Sequence, residues 1–233
     1  MDRRHFIGAS ALAAAGTLLG RGLAFGQSAF QHLRRGVGIF NGQGGTIGWL
    51  VNDGGMLVID SQNAASAAAC IEGLGAGASR SIDFLVNTHH HGDHVGGNRT
   101  FQPVVGSIVA HENSASWQRR VAEEAGTGAS QAYPDRTFRD EWRETVGDET
   151  VVARYYGAGH TSGDVTVTFE RANVVHMGDL MFNRLHPFVD RSSGASIRSW
   201  IGTLRRVAEE HGSDTLYVFG HGSAGVTGDG SEL

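Results

Sequence analysis

The sequence predicts a single α/β domain with two sheets. Its 233 residues, 40% of them hydrophobic and 18% charged, are enough for one substantial folded domain. Short apolar runs alternate with glycine-containing turns and a few helical stretches, and we find neither an internal repeat nor a long linker. Because strands and helices are mixed along the whole chain, two sheets are favoured over one long sheet.

The first half of the chain predicts a hairpin followed by alternating helices and strands. Apolar runs at 45–53 and 55–61 flank a turn at 52–55, which is typical of a β-hairpin. The alanine-rich stretch 64–73 predicts a helix, and its Cys70, the single cysteine, is expected to be buried. There follow a strand at 81–88, a strand at 107–112, and a helix at 113–124 with Asn113 as its candidate cap.

The second half predicts strands at 149–157, 164–170, 173–179 and 214–220. Residues 126–148 are polar and irregular, so we interpret them as a surface excursion. Residues 196–211 predict an amphipathic helix in which apolar side chains recur at helical spacing: Ile197, Ile201, Leu204 and Ala208.

The N-terminal residues 1–26 resemble a twin-arginine export signal. Arg3 and Arg4 precede Phe6 and a short apolar run, and residues 24–26 form a small-residue cleavage site. We therefore expect a periplasmic protein whose mature part, residues 27–233, has no stable membrane association.

Charge excludes one class of partner. The formal net charge is −5, and the chain carries no basic stripe that could neutralise phosphates. We therefore expect a small-molecule substrate and no nucleic acid. All 19 basic residues are arginine, so no lysine is present to act as a base or a Schiff-base amine.

The stretch 87–98, NTHHHGDHVGGN, follows a predicted strand and is rich in metal-binding side chains. Three later strands also end at such a residue beside a glycine, namely His160, Asp179 and His221. Because functional groups gather beyond strand ends in layered α/β folds, these four loops are expected to converge. The donors that result are His89, His91, Asp93, His94, His160, Asp179 and His221.

Seven donors exceed the needs of one four-coordinate ion and suit two ions if Asp179 bridges them. Imidazole and carboxylate together favour Zn²⁺, with iron and manganese as competitors. Paired metals of this kind support hydrolysis of a carbonyl compound by an activated water. Asp93 is the candidate catalytic residue, which would orient that water and take its proton.

The motifs THHHGDHVGG, GHTSGD, MGDL and FGHG resemble those of the metallo-β-lactamase superfamily in order and separation. The resemblance covers residues 37–222 and implies a four-layer αβ/βα sandwich with the metals at one edge between two mixed sheets. It further implies that His89, His91 and His160 hold one zinc, that Asp93, His94 and His221 hold the other, and that Asp179 bridges. Asp60 would lie beneath the metals and support their ligands.

The substrate class is left open by these motifs: an ester, thioester, lactone or lactam carbonyl would fit. The triple histidine resembles glyoxalase II, but we expect this chain to lack the helical C-terminal domain of that enzyme and the closing helix of the fold after His221. Alternatives are a β-lactamase proper, an iron-dependent sulfur or oxygen redox enzyme, and a non-catalytic periplasmic binding protein. His186 and Asn183 are candidate substrate contacts, whereas His176 is expected to be packed inside a strand.

Overall fold

The computed structural model describes residues 29–77, 80–223 and 225–233. The predicted export signal at 1–26 lies outside these residues. Within the described ranges, no helix is long and apolar enough to cross a bilayer.

The first sheet has seven strands in the order β1-β2-β3-β4-β5-β6-β7. Strands β1 to β4 form an antiparallel meander, and β4 to β7 are parallel. Parallel neighbours need crossover connections, and helices supply them here. The strands are β1 (Phe30–Arg34), β2 (Val37–Phe40), β3 (Ile47–Asn52), β4 (Gly55–Ile59), β5 (Ile82–Asn87), β6 (Val105–His111) and β7 (Arg136–Phe138).

The second sheet has six strands in the order β15-β13-β11-β10-β9-β8. Its neighbours are antiparallel except β11 and β13, which are parallel. A short parallel pair, β12 with β14, lies beside the sheet. These strands are β8 (Glu141–Val146), β9 (Glu149–Tyr155), β10 (Val165–Phe169), β11 (Val174–His176), β12 (Phe182–Asn183), β13 (Leu216–Val218), β14 (His221–Gly222) and β15 (Thr227–Gly228).

Within the described part of the chain, five α-helices connect the strands. Two of them, α2 and α3, are single turns that follow the histidine-rich loop. Asn63 caps α1 through its side-chain oxygen, and Gly75 ends that helix in the left-handed conformation. The helices are α1 (Ala64–Leu74), α2 (Gly92–Val95), α3 (Asn98–Phe101), α4 (Glu112–Glu124) and α5 (Ile197–Glu210).

Three clusters of buried apolar side chains hold the layers together. The central cluster joins the inner faces of the sheets, for example Leu57 and Val86 from the first sheet with Val167 from the second. A second cluster packs α1 on the outer face of the first sheet, and a third packs α5 on the second sheet. The predicted four-layer αβ/βα sandwich is therefore confirmed.

Most predicted elements are present. The hairpin turns where expected, since Asn52 pairs with Gly55, and the helix at Ala64–Leu74 buries Cys70. Burial raises the pKa of the Cys70 thiol, so this residue is an inert part of the core.

The interpretation of 126–148 as an irregular excursion is wrong. Strands β7 and β8 lie within it, and β8 forms a hairpin with β9. Trp142 and Val146 face the core while the residues between them face outward or lie half buried. A two-residue alternation is typical of a β-strand, and β8 lies at the edge of its sheet. The many charged side chains on its outer face made this alternation hard to recognise in the sequence.

Two details of the helices also differ from expectation. Helix α4 is capped by His111, whose Nδ1 accepts from the backbone N–H of Asn113, rather than by Asn113 itself. Helix α5 buries Trp200, Thr203 and Val207, whereas Ile197 and Ile201, from the predicted apolar stripe, are 59% and 47% exposed. In this orientation the indole of Trp200 is buried, and its N–H donates to the Leu180 carbonyl inside the core.

Candidate metal centre

The predicted donors lie on four loops at one edge of the two sheets. The loop after β5 carries His89 and His91, the short helix α2 that follows carries Asp93 and His94, and the loop between β9 and β10 carries His160. The turn after β11 carries Asp179, and His221 begins β14 after β13. The structure brings all seven side chains together, as their spacing along the chain predicts.

The first group contains His89, His91, His160 and Asp179, whose donor atoms lie within 4.8 Å of one another. The Nδ1 of His91 lies 3.2 Å from His89 Nε2 and 2.9 Å from His160 Nε2. Asp179 Oδ2 lies 3.4 Å from His160 Nε2. Three imidazole nitrogens and a carboxylate oxygen therefore face a common point.

The second group contains Asp93, His94 and His221. The Nε2 of His221 lies 3.1 Å from Asp93 Oδ2 and 3.3 Å from His94 Nε2. Asp179 Oδ1 lies 3.1 Å from His94 Nε2, while Oδ2 faces the first group. The carboxylate of Asp179 thus spans both groups, which is the arrangement expected of a bridging ligand.

Hydrogen bonds on the outer side of the rings fix which nitrogen is free. The Nδ1 of His94 lies 2.7 Å from Asp60 Oδ2, and the Nδ1 of His160 lies 2.7 Å from the Phe188 carbonyl oxygen. His89 Nδ1 lies 3.1 Å from the Thr88 hydroxyl. A ring that donates from its outer nitrogen presents a bare lone pair from the other, as metal-ligating histidines do.

This arrangement fits a cation. In the first group the Nε2 atoms of His89 and His160 face Nδ1 of His91 at hydrogen-bond distances, and among the described residues the buried Oδ1 of Asp179 accepts no hydrogen bond. Buried acceptors that face only other acceptors are costly unless a positive charge lies between them. The residue types, histidine and aspartate, are ligands that Zn²⁺ accepts.

Burial and charge shift the pKa values in a direction that suits metal binding. Burial lowers the pKa of His89 and of His160, so both rings are neutral ligands at neutral pH. Burial alone would raise the pKa of Asp93, but the hydrogen bond from His221 and the charge of His94 hold it well below its usual value. Asp93 is therefore a carboxylate, with its side chain 45% exposed.

His94 behaves differently without a metal. Burial would lower its pKa, but the carboxylates of Asp179 and Asp60 outweigh that effect and raise the pKa well above its ordinary value. A proton on this ring compensates the negative charge of the two carboxylates. A bound cation would replace that proton.

Asp60 connects the centre to the first sheet. It is fully buried, and its backbone has φ 61°, a left-handed conformation that aspartate tolerates better than most residues. Oδ1 accepts from the backbone N–H of Thr88 at 2.8 Å, and Oδ2 accepts from the Thr88 hydroxyl at 2.7 Å. The predicted position of Asp60 beneath the donors agrees with these contacts.

Two glycines leave room for the donor side chains. A Cβ added at Gly45 would overlap the imidazole of His94, and one added at Gly220 would overlap Asp179 Oδ1. Close approach of the backbone to the site therefore requires glycine at both positions.

A cavity of about 340 Å³ opens over the donors. Five of the predicted ligands line it, and the rest of the wall is formed by Phe182, Leu185, His186 and Phe188. Its volume lies in the range of small-molecule sites. The predicted contact His186 lines this cavity; Asn183 does not, and its amide donates instead to the Gly225 carbonyl.

Asp190 and His90 lie near the first group, and the sequence alone does not place either of them there. Asp190 Oδ2 lies 3.1 Å from His91 Nε2, and His90, which is buried, lies 3.6 Å from the same oxygen through its Nε2. Nothing in the local sequence VDRSSG distinguishes Asp190 from an ordinary turn aspartate. His176, as predicted, is packed within β11, with Nε2 3.0 Å from the Thr46 carbonyl oxygen.

Comparison with known proteins agrees with this geometry. The sequence profile of the metallo-beta-lactamase superfamily matches residues 41–221. This chain belongs to the metallo-beta-lactamase superfamily. A metallo-beta-lactamase from Pontibacter korlensis has the same fold, with a TM-score of 0.69 at 21% identity over 87% of this chain and 94% of that one.

Among curated superfamily members, two kinds of relative are similar to this chain. "Metallo-beta-lactamase type 2" of Bacillus cereus is 24% identical over 151 residues, which are 64% of this chain and 55% of that protein. "Hydroxyacylglutathione hydrolase" of Brucella anthropi is 33% identical over 137 residues, which are 55% of this chain and 46% of that protein. The matched region thus spans about half the length of these relatives.

Proposed function

We propose that this protein is a metal-dependent hydrolase that cleaves a carbonyl substrate with the help of two zinc ions. The observation that carries the proposal is the pair of donor groups joined by Asp179, with ring nitrogens and carboxylate oxygens facing inward. His89, His91 and His160 would hold one ion, Asp93, His94 and His221 the other, and Asp179 both. When bound, such a pair supplies a Lewis acid and lowers the pKa of water to about 7.

The residues of the chain account for the remaining tasks. Asp93 is ionised and partly exposed at the cavity, so its carboxylate can orient a water and accept its proton. His221 Nε2 lies 3.1 Å from Asp93 Oδ2, so both side chains would coordinate the same ion. Phe182, Leu185 and Phe188 shield one side of the cavity from water.

The similar proteins support two bond types. Hydroxyacylglutathione hydrolases support a thioester, and the metallo-beta-lactamase of Bacillus cereus supports a lactam. An ester or lactone would use the same residues. Two alternatives can be distinguished from the hydrolase by experiment. An iron-dependent redox enzyme would differ in its metal content, and a non-catalytic binding protein would show no turnover.

Elemental analysis of protein purified without added metal is the first test. We expect about two zinc ions per chain; a single iron would overturn the dinuclear assignment. Zinc-loaded protein would then be assayed with thioester, ester, lactone and lactam substrates. Asp93→Ala should abolish turnover, while the exposed Asp140→Ala control should not, and full activity of Asp93→Ala would refute the role of this carboxylate.

We also propose export of the folded protein by the twin-arginine route. The support is the sequence alone, in particular Arg3 and Arg4 before the apolar run. Cell fractionation should find the wild type in the periplasm and an Arg3→Ala, Arg4→Ala double variant in the cytoplasm. Equal periplasmic amounts of both would contradict this route.

A further inference from the structure

Beside the metal cavity lies a second, apolar groove of about 300 Å³. Its floor is Leu180 and Met181 with Trp200 of α5, and its outer wall is the exposed stripe of that helix, Ile197 and Ile201. Every residue that lines this groove is apolar. An exposed apolar surface of this kind generally marks a binding site.

The groove and the metal cavity meet at Phe182 and Leu185, which line both. Leu185 is 43% exposed, and the neighbouring Phe188 is 61% exposed. Both apolar side chains are exposed to solvent near the junction, although burying them would lower the free energy. A molecule that reaches from the donors into the groove would cover them.

The charge of the cavity wall restricts which charged groups that molecule can have. Among the described residues that line the cavity, none is arginine, and the chain has no lysine. His186 is the only titratable side chain of the wall apart from the predicted ligands. The site therefore lacks a permanently charged side chain that could hold a substrate carboxylate by a bidentate contact.

We propose that the groove binds an extended apolar chain of the substrate, so that the enzyme acts on uncharged esters, thioesters or lactones with a long acyl or alkyl group. This inference rests on the proposed hydrolase function for the reaction, but the groove itself can be tested without it. The continuity of groove and cavity at Phe182 and Leu185 places such a chain next to the reacting carbonyl.

The kinetic test uses the full zinc-loaded protein and 4-nitrophenyl esters from acetate to octanoate. We expect kcat/KM to rise by up to about fourfold per added methylene until the groove is filled. Ile201→Gln should flatten this increase, so that octanoate loses its advantage over acetate. Val121→Gln on α4 is the matched control, because Val121 is also 47% exposed and lies away from the groove.

Binding of unreactive ketones separates the groove from the reaction. In calorimetric titrations we expect 2-nonanone to bind the wild type at least tenfold more tightly than butanone, and Ile201→Gln to remove the difference. If no ester is hydrolysed but the ketones behave in this way, the hydrolase proposal fails and the groove proposal stands.

Three results would overturn the inference. One is ester hydrolysis with no dependence on chain length, together with equal binding of both ketones. Another is a preference for 4-nitrophenyl esters of dicarboxylic acids, which would require a cation in the wall. The third is a concentration-dependent dimer in sedimentation that Ile201→Gln dissolves, since the groove would then be filled by a second copy of the chain.

Discussion

Asp190 lies 3.1 Å from His91 through Oδ2, on the side of the imidazole opposite the donor cluster. The other oxygen, Oδ1, accepts from the backbone N–H groups of Ser192 and Ser193 at 3.1 and 3.2 Å. The carboxylate is therefore held on both sides, and it orients His91 so that Nδ1 faces the donor cluster. Contacts of this kind fix both the tautomer and the direction of a metal ligand.

Replacing Asp190 with asparagine should weaken binding of the first zinc by about tenfold to 100-fold. An amide cannot accept from His91 and from both backbone N–H groups at once without turning its NH₂ toward a donor. Competition with a chromophoric chelator measures the change. Asp148→Asn, an exposed carboxylate paired with Arg35, is the control, and equal zinc affinity in the two variants would contradict the role of Asp190.

Asp60→Asn should lower the zinc content from about two ions to about one. Asparagine tolerates the left-handed backbone at this position, so the turn should persist. Its amide nitrogen would face the Thr88 hydroxyl and His94 Nδ1, which forces His94 to carry its proton on Nε2 instead. Elemental analysis and circular dichroism measure occupancy and folding, and two tightly bound ions in a folded variant would count against this account.

Gly45→Ala should also remove the second ion while the fold persists. The new Cβ would overlap the His94 ring, and overpacking of this kind costs about 1–3 kcal/mol. Gly92→Ala is the matched control in the same region, since a Cβ there meets nothing within 4 Å. The measurements are zinc stoichiometry and the thermal midpoint; unchanged occupancy in Gly45→Ala would show that the loop can move away.

The stability of the metal-free protein should depend on Asp164. Burial, together with the nearby charge of Asp179, raises its pKa to about 6 from 3.8, although hydrogen bonds from Thr161 oppose the shift. Because the folded state then binds the proton more tightly than the unfolded state, the contribution of Asp164 to stability falls as pH rises from about 4 to 6. The loss across this window is up to about 3 kcal/mol.

Asp164→Asn should therefore show a smaller fall in unfolding free energy between pH 4 and 6 than the wild type. Urea titrations at several pH values measure the unfolding free energy of each protein. The donor histidines contribute equally to both proteins, so their contributions cancel in the difference. Exposed Asp140→Asn should retain the wild-type slope. Identical slopes for all three proteins would show that the carboxyl of Asp164 is not perturbed.

The convergence of the candidate donors could be predicted because they follow the ends of four strands, and His160, Asp179 and His221 each sit beside a glycine. The contact of Asp190 with His91 could not be predicted from the sequence. The two residues are 99 positions apart, and the local sequence around Asp190 is that of an ordinary turn. The buried face of α5 could not be predicted from the sequence either. Its outward isoleucines recur at helical spacing, and the packing of Trp200 and Val207 against the second sheet is a tertiary contact that local spacing does not show.

The donors enter the centre in chain order from His89 to His221, and the short strand β14, which carries His221, pairs with β12. Contacts of such large sequence separation form late in folding, because each requires a long loop to close. The second group is thus incomplete until nearly the whole described chain has been synthesised and both sheets have docked. If that group binds a metal, a metal-sensitive signal recorded during refolding would time the step that brings His221 to Asp93 and His94.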